Sequence, residues 1–313
     1  DGGLHDLSPF ELLAPLYDAL CYRTGLTAEL VGEVVLGCVT QYGEQAGNIA
    51  RNAWLSLGKD YTAGGTTFDN QCGSAQTANH AIAAMVQTGR INVGIGCGVE
   101  AMSRVGLGQN VYNGPGYFQP PNWPWDTAPD QFTMVERIAK NRGLTRQMVD
   151  EFALSSQQKA KVAWDEGRFD SQICPVDAPC FADDGTPTDQ TKHVSRDQGL
   201  RDTTIEGLSQ LKPILEDGIH TAGNASQISD GSAAVLWMSA EEAKARGFKP
   251  RARIITDCTV GTDPYYLLDG PVDATQQMFK KTGMNMSDID LFEINEAFAA
   301  VVLSWAQVFD ADM

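Results

Sequence analysis

The residue whose type and setting best suit chemistry is Cys72, in the run T-F-D-N-Q-C-G-S-A at positions 67–75. Residues 66–70 have the pattern of a strand and residues 72–87 that of a helix, so the cysteine stands at a strand-to-helix turn. The first N–H groups of a helix lack partners and its dipole favours negative charge there. Both effects stabilise a thiolate, the nucleophilic form of cysteine. A purely packing role is the alternative, because free cysteines are among the most buried residues.

The helix predicted after this cysteine is rich in small side chains. They are Gly73, Ser74, Ala75, Ala78, Ala81, Ala83 and Ala84. Because small residues let a helix approach other backbones closely, we expect this helix to lie deep in the fold and to bury Cys72.

The remaining cysteines point to packing rather than to a metal site. They are Cys21, Cys38, Cys97, Cys174, Cys180 and Cys258. Cys38, Cys97 and Cys258 fall in segments predicted to be apolar strands. With no C-x-x-C and no paired histidine spacing, the pattern favours reduced thiols and argues against a bound metal.

The composition limits the possible partners. The formal charge of −17 argues against nucleic acid or an anionic membrane, since both are bound through basic patches. A small phosphate-bearing ligand is still compatible if its site supplies local cations. Residues 1–5 do not resemble a signal peptide, and the apolar stretch 291–309 is interrupted by charged and amide residues. We therefore expect a cytoplasmic protein without a membrane partner.

Helix and strand patterns alternate in the first third of the chain. Helices are predicted at 9–20, 45–55 and 72–87, and strands at 33–39, 66–70 and 91–98. Ser8 is the expected N-cap of the first helix, with Pro9 in its first turn. Such alternation predicts a layered α/β fold with a largely parallel sheet.

A different composition begins near residue 106. Residues 106–131 contain aromatic residues and prolines that cannot continue a helix or a central strand: Tyr112, Pro115, Tyr117, Phe118, Pro120, Pro121, Trp123, Pro124 and Trp125. Two amphipathic helices follow at 133–142 and 146–166, and residues 169–212 are polar and irregular. The aromatic segment could line a wide apolar pocket or form a subunit interface.

Regular alternation returns after residue 245. Strands are predicted at 253–260 and 290–294, and helices at 272–282 and 296–309. This order resembles a second, incomplete copy of the first unit. We therefore expect three parts, 1–105, 106–245 and 246–313, in a chain that is truncated at both ends.

Four ordered motifs carry a family resemblance that spans essentially the whole chain. They are N-Q-C-G-S at 70–74, G-V-E-A-M-S at 98–103, T-A-G-N-A-S at 221–226 with Asp230-Gly231, and N-E-A-F at 295–298. In this combination the sequence resembles the thiolases. The resemblance implies a layered α/β/α/β/α fold of two similar halves plus a loop domain, in a homodimer or homotetramer.

The resemblance also implies residue roles. Cys72 would accept the acyl group, with its backbone N–H in one oxyanion hole, and Asn295 would position a water for a second one. Ser226, Arg201, Ala297 and Phe298 would contact coenzyme A, which is a substrate, so no cofactor is implied. The alternatives are a helix cap for Asn295, turn chemistry for Ser226 and a solvated surface side chain for Arg201.

The chain departs from the family pattern in one respect. Thiolases carry a histidine in G-H-P and a second cysteine in C-x-G, and neither motif occurs here. His5, His80, His193 and His220 do not have that context. Both motifs belong after Asn295, so truncation explains their absence more simply than a loss of catalysis.

The sequence therefore predicts a thiolase that cleaves or forms 3-ketoacyl-CoA through a cysteine acyl-enzyme. The sequence resembles actinobacterial thiolases of steroid side-chain degradation more than it resembles biosynthetic acetoacetyl-CoA thiolases. A ketoacyl synthase is disfavoured by the N-E-A-F and T-A-G-N-A-S motifs. A catalytically incomplete acyl-CoA-binding protein is the main alternative, and a redox sensor lacks a neighbouring resolving cysteine.

Overall fold

The computed structural model describes residues 2–112, 114, 119–182 and 186–313. The helices are α1 Pro9–Thr24, α2 Ile49–Ser56, α3 Ser74–Gln87, α4 Gln109–Tyr112, α5 Gln131–Arg142, α6 Arg146–Asp165, α7 Ile205–Ser209, α8 Ala240–Ala245, α9 Gly270–Thr282 and α10 Ala299–Phe309. The strands are β1 Glu33–Gly37, β2 Gly64–Phe68, β3 Val93–Ala101, β4 Val176–Phe181, β5 Pro187–Val194 and β6 Asp230–Met238. Pro115, Tyr117 and Phe118 of the aromatic segment lie outside the described residues.

The chain forms two compact units. Unit 1 comprises Asp1–Phe118, Gln172–Gln198 and Ile228–Ile254. Unit 2 comprises Gln119–Ser171, Gly199–Gln227 and Ile255–Met313. The three-part division expected from the sequence stays a prediction.

Unit 1 is built on a four-stranded sheet in the order β2-β1-β3-β6. β1 pairs in parallel with β2 and β3, and β6 runs antiparallel to β3. Every residue of β1 is buried, as expected for a strand covered on both faces. The prediction of a largely parallel α/β sheet is confirmed for β1, β2 and β3.

Local signals explain where the helices of unit 1 begin. Ser8 caps α1 in a capping box with Glu11, and Pro9 occupies its first turn, as predicted. The helix expected from residue 45 begins only at Ile49. Gly47 and Asn48 both have left-handed backbones, and the Asn48 side chain accepts from the Arg51 N–H. A helix cannot pass through two left-handed residues, so α2 starts after them.

Close packing places α3 on the sheet. A Cβ added to Gly37 of β1 would overlap the backbone of Ser74 and Ala75. On β3, a Cβ at Gly96 would meet Asn79, and one at Gly98 would meet Ala75. The strand glycines and the small helix residues thus bring the two backbones together, which confirms the expectation that this helix packs deeply.

Unit 2 has a helical core. α5 and α6 pack on α10 through buried residues that include Val135, Val149 and Ala300. The side chains of Asp130 and Thr145 cap α5 and α6 by accepting a backbone N–H in the first turn. These caps explain why the two amphipathic helices occur close to their predicted positions.

Four sequence-based predictions of secondary structure are wrong. Segments 253–260 and 290–294 form no strand, and Cys258 is therefore outside a strand. A strand needs a hydrogen-bonding partner, which an apolar pattern alone does not supply. Conversely, the polar stretch 169–212 contains the β4–β5 hairpin, and the aromatic segment contains the four-residue helix α4.

Within the part of the chain that the structure describes, every helix is too short or too polar to cross a lipid bilayer.

Candidate active site

Cys72 lies at the turn between β2 and α3, as predicted, but its surroundings differ from expectation. The helix begins at Ser74 with Gly73 as N-cap, so the cysteine precedes the first turn. Its side chain is exposed, and the expectation that the helix buries it is wrong. Gly73 has no side chain with which to cap the first-turn N–H groups. The thiol is therefore accessible at the positive end of the α3 dipole.

Hydrogen bonds hold this turn in one conformation. The Ser74 hydroxyl accepts from the Asn70 N–H at 2.8 Å and donates to the Gln71 carbonyl at 2.6 Å. The Gln71 N–H donates to the Asp69 carboxylate at 3.0 Å. Gln71 itself has a φ of 50°, a left-handed conformation that costs about 1–2 kcal/mol for a residue with a side chain. The residue before Cys72 is thus held in a strained position that its neighbours stabilise.

The G-V-E-A-M-S segment supports unit 1 through its polar side chains. The Glu100 carboxylate accepts from the Thr40 N–H at 3.3 Å and from the Gln45 side-chain amide at 3.0 Å. Ser103 donates from its N–H at 2.8 Å and from its hydroxyl at 2.6 Å to the Asp230 carboxylate. The segment therefore anchors the chain after β1 and the start of β6.

In unit 2 the structure brings the T-A-G-N-A-S and N-E-A-F motifs into contact. The Ser226 N–H donates to the Ala297 carbonyl at 2.9 Å, and the Ala299 N–H donates to the Asn224 carbonyl at 2.9 Å. Ala225 and Phe298 form an antiparallel bridge between these two bonds. We call this pairing of residues 224–226 with 297–299 the motif pair. It joins segments about 70 residues apart without a regular strand in either.

Two acidic side chains from neighbouring helices support the motif pair. Asp150 of α6 is 2% exposed and accepts from the Asn224 amide at 2.8 Å and from Arg146 at 2.6 Å. Glu136 of α5 accepts from the Ile219 N–H at 2.8 Å and from His220 through both its N–H and its ring. The loop at residues 219–224 is therefore hydrogen-bonded to a carboxylate of α5 and to a carboxylate of α6.

Models of a known protein family and solved structures match nearly the whole chain. The family model of the thiolase N-terminal domain matches residues 1–241, and that of the thiolase C-terminal domain matches residues 248–313. The chain belongs to the thiolase family.

Two curated thiolases illustrate the relationship. A steroid 3-ketoacyl-CoA thiolase of Mycobacterium tuberculosis is 36% identical over 99% of this chain and 76% of its own length. A 3-ketoacyl-CoA thiolase of Cronobacter sakazakii is 38% identical over 96% of this chain and 77% of its own length.

Solved structures confirm the predicted thiolase fold. The Bacillus anthracis acetyl-CoA acetyltransferase has a TM-score of 0.85 at 34% identity, and human mitochondrial 3-ketoacyl-CoA thiolase has a TM-score of 0.85 at 30% identity. Each comparison covers 99% of this chain and 80% of the other one.

The thiolase structure tests the local alternatives for Asn295 and Ser226. Asn295 does not cap a helix, because α10 starts at Ala299 and its N-cap is Phe298. Asn295 is exposed. Ser226 is also exposed, and its backbone N–H is already used by Ala297. Both side chains are therefore open to a ligand.

The other predicted coenzyme A contacts have different settings. Phe298 is 4% exposed and packs edge-on against Phe132, with ring centroids 5.3 Å apart. Ala297 contributes its carbonyl to the motif pair. Arg201 is exposed, and its backbone N–H donates to Gln157 at 3.2 Å. The roles of these residues stay predictions.

Glu136 and Asp150 were not predicted from the sequence, and His220 was set aside because it does not stand in a G-H-P motif. A signal for Asp150 did exist. It follows Val149 and lies three residues before Ala153 on the buried face of α6, with Arg146 one turn earlier. A charge on an apolar helix face with an oppositely charged residue at i−4 is the pattern of a buried, paired carboxylate.

Proposed function

We propose that this thiolase cleaves 3-ketoacyl-CoA with coenzyme A through an acyl-enzyme on Cys72. The observation that carries the proposal is the exposed Cys72 thiol just before the start of α3, a helix whose first turn has no side-chain cap. A nucleophile needs both access and stabilisation of its anionic form, and this position supplies both.

The chemistry proceeds in two halves. The Cys72 thiolate attacks the C3 carbonyl of 3-ketoacyl-CoA, and the tetrahedral intermediate collapses as the C2–C3 bond breaks. The leaving enolate takes up a proton and departs as acetyl-CoA. The thiolate of free coenzyme A then attacks the Cys72 thioester, which releases the shortened acyl-CoA and restores the thiolate. The same steps in reverse form a 3-ketoacyl-CoA.

The remaining site residues have roles in binding and in charge stabilisation. The Cys72 N–H would stabilise the tetrahedral oxyanion, and a water held by the Asn295 amide would stabilise the enolate oxygen. Ser226, Arg201, Ala297 and Phe298 would bind coenzyme A, with the exposed Ser226 hydroxyl on the pantetheine arm. Coenzyme A and acyl-CoA are then substrates, and the reaction needs no further cofactor.

We further propose a bulky acyl group, as in steroid side-chain degradation. One support is the 36% identity to a thiolase named for steroid substrates. The other is the aromatic segment, where Trp123 and Trp125 are 41% and 59% exposed. Competition between a steroid and a linear 3-ketoacyl-CoA for acylation of Cys72 tests the preference, and a higher rate for the linear substrate contradicts it.

We also propose that the protein is a cytoplasmic homodimer or homotetramer. Each chain would have the three parts 1–105, 106–245 and 246–313. Light scattering of the purified protein measures its oligomeric state, and a monomer at micromolar concentration contradicts this part of the proposal.

Intact-protein mass spectrometry tests the acyl-enzyme directly. After mixing with a 3-ketoacyl-CoA, the wild type should gain the mass of the shortened acyl group, whereas Cys72→Ser should gain none. Cys180→Ser is the matched control, because Cys180 is a free thiol that is only partly buried, and this variant should acylate like the wild type. An adduct that persists in Cys72→Ser rejects the assignment. Binding of acyl-CoA by the wild type without any adduct favours the non-catalytic alternative.

A further inference from the structure

The pair formed by buried His220 and half-buried Glu136 in unit 2 has no role in the chemistry described above. His220 is 1% exposed, and its ring Nδ1 lies 2.9 Å from Glu136 Oε1. The same oxygen accepts the Ile219 N–H at 2.8 Å and the His220 N–H at 3.0 Å. One carboxylate oxygen therefore holds three donors from two consecutive residues.

The hydrogen bond between the two side chains has a defined direction. Burial raises the pKa of Glu136, but the hydrogen bonds from His220 and Ile219 outweigh it, and the pKa lies below its ordinary value. Glu136 is thus a carboxylate that can only accept, so His220 Nδ1 carries the hydrogen. Nε2 is buried and has no hydrogen-bond partner among the described residues. Among the described residues, the hydrogen bond that the His220 ring makes is therefore the one it donates from Nδ1 to Glu136.

This donor lies where the loop joins the motif pair. Next to His220, the Thr221 N–H donates to the Asn224 side chain at 2.9 Å, and the Asn224 carbonyl accepts from Ala299. The His220 ring also packs at right angles to Phe298, with centroids 5.6 Å apart. A shift at His220 would therefore be passed to both segments of the motif pair, and so to Ser226.

We infer that the Glu136–His220 hydrogen bond is a positioning device for coenzyme A recognition, which fixes residues 219–226 so that Ser226 faces the pantetheine arm. The inference rests on the proposed function, because it takes coenzyme A as the ligand of Ser226. His220 touches no reacting atom and acts only through the loop. Losing its N–H should therefore weaken coenzyme A binding and leave acylation of Cys72 at saturating substrate almost unchanged.

Two substitutions separate the two features of this side chain. His220→Phe keeps a ring against Phe298 and removes the N–H. His220→Asn removes the ring but places an amide N–H near the position of Nδ1. We expect coenzyme A to bind His220→Phe about tenfold more weakly, the usual cost of losing a hydrogen bond to a charged group, and His220→Asn within about threefold of the wild type. Glu136→Gln, which has the same shape without the charge, should lie between them.

The measurements are calorimetric titration with coenzyme A and the rate of Cys72 acylation at saturating 3-ketoacyl-CoA, together with each variant's melting temperature. Rescue by His220→Asn and an unchanged acylation rate support positioning. The inference is overturned if His220→Phe binds as well as the wild type, or if affinity in all three variants follows only their melting temperatures. A wild type that binds coenzyme A without becoming acylated contradicts the proposed function instead, and the affinities of the variants still decide the role of His220.

Discussion

The turn at Cys72 and the motif pair show two ways of holding functional residues. At Cys72 a strand, a turn and a helix follow one another in sequence, and the side-chain hydrogen bonds within the turn span at most seven residues. In the motif pair, segments about 70 residues apart meet without a strand, above two acidic side chains on α5 and α6. Backbone geometry therefore dominates at the first region, and buried charge dominates at the second.

This difference predicts that each region is sensitive to a different kind of substitution. The Cys72 turn should be sensitive to added volume in the backbone contact between α3 and β1. The motif pair should tolerate small changes of volume but should be sensitive to the loss of a carboxylate. Four substitution experiments sharpen or break this contrast.

The largest effect is expected at Gly37. Its Cβ would overlap the backbone of Ser74 and Ala75, which cannot move without displacing α3. We expect Gly37→Ala to lower the free energy of unfolding by roughly 4 kcal/mol or more, beyond the range of most single substitutions. Gly231→Ala is the control, since a Cβ there meets nothing within 4 Å in a strand of the same sheet. Urea unfolding compares the two, and equal stabilities would show that the contact is not tight.

The next effect is expected at Asp150. Asp150→Ala leaves the Asn224 amide and the Arg146 guanidinium without their shared acceptor. Because removing one partner of a buried ion pair leaves an uncompensated charge, we expect a loss of about 3 kcal/mol. Lys161→Ala breaks an exposed i,i+4 pair with Asp165 on the same helix and should change stability by less than about 0.5 kcal/mol. Similar losses in both variants would mean that burial adds nothing at Asp150.

A smaller effect is expected at Gln71, where the backbone has a φ of 50°. Gln71→Val should lose about 1–2 kcal/mol, since a β-branched residue is strained in this region. Gln71→Gly removes the strain and should therefore be more stable than Gln71→Val by at least that amount. The difference between the two melting temperatures is the measure, and a valine variant as stable as the glycine variant would show that the turn relaxes.

Side-chain patterns predicted most of the elements in residues 9–101, because the helices there bury one regular face and β1 and β3 are short, almost wholly buried apolar runs. They also predicted α5 and α6, whose caps Asp130 and Thr145 are visible in sequence. They failed at 253–260 and 290–294, where apolar alternation occurs without a paired strand. Pairing is a property of two segments, and a pattern within one segment cannot reveal it.

The same reasoning explains what was found of the candidate site. Cys72 could be singled out from its neighbours alone. The residues of the motif pair were found only through family resemblance, because nothing near Asn224 indicates that it meets residue 299. Asp150 could have been found from its place on the buried face of α6 and its pairing with Arg146, whereas Glu136 is an ordinary helix residue until the fold places a loop against it. Long-range polar contacts are therefore the part of this site that local sequence patterns do not reveal.

The smallest effect concerns acid stability and compares one carboxylate from each unit. The pKa of Glu136 is below its ordinary value of 4.5 although burial opposes this, and the pKa of Glu44 in unit 1 is lowered by its hydrogen bond with Arg104. A depressed pKa contributes stability that is fully present above the unfolded value and is lost as the pH falls through the folded value. Below about pH 4.5 the stability advantage of the wild type over Glu136→Gln should therefore shrink, and the same holds for Glu44→Gln.

The two carboxylates should differ in their response to salt, because the Glu44 side chain is 39% exposed and that of Glu136 is 22% exposed. Since salt screens exposed pairs most, about 0.5 M NaCl should remove most of the Glu44 contribution and leave most of the Glu136 contribution. Urea unfolding of both variants across this pH range, at low and high salt, measures how the free energy of unfolding changes with pH in each of the four cases. Equal salt sensitivity would show that the carboxylate under the motif pair is solvated like a surface charge, and the contrast between the two regions would then be lost.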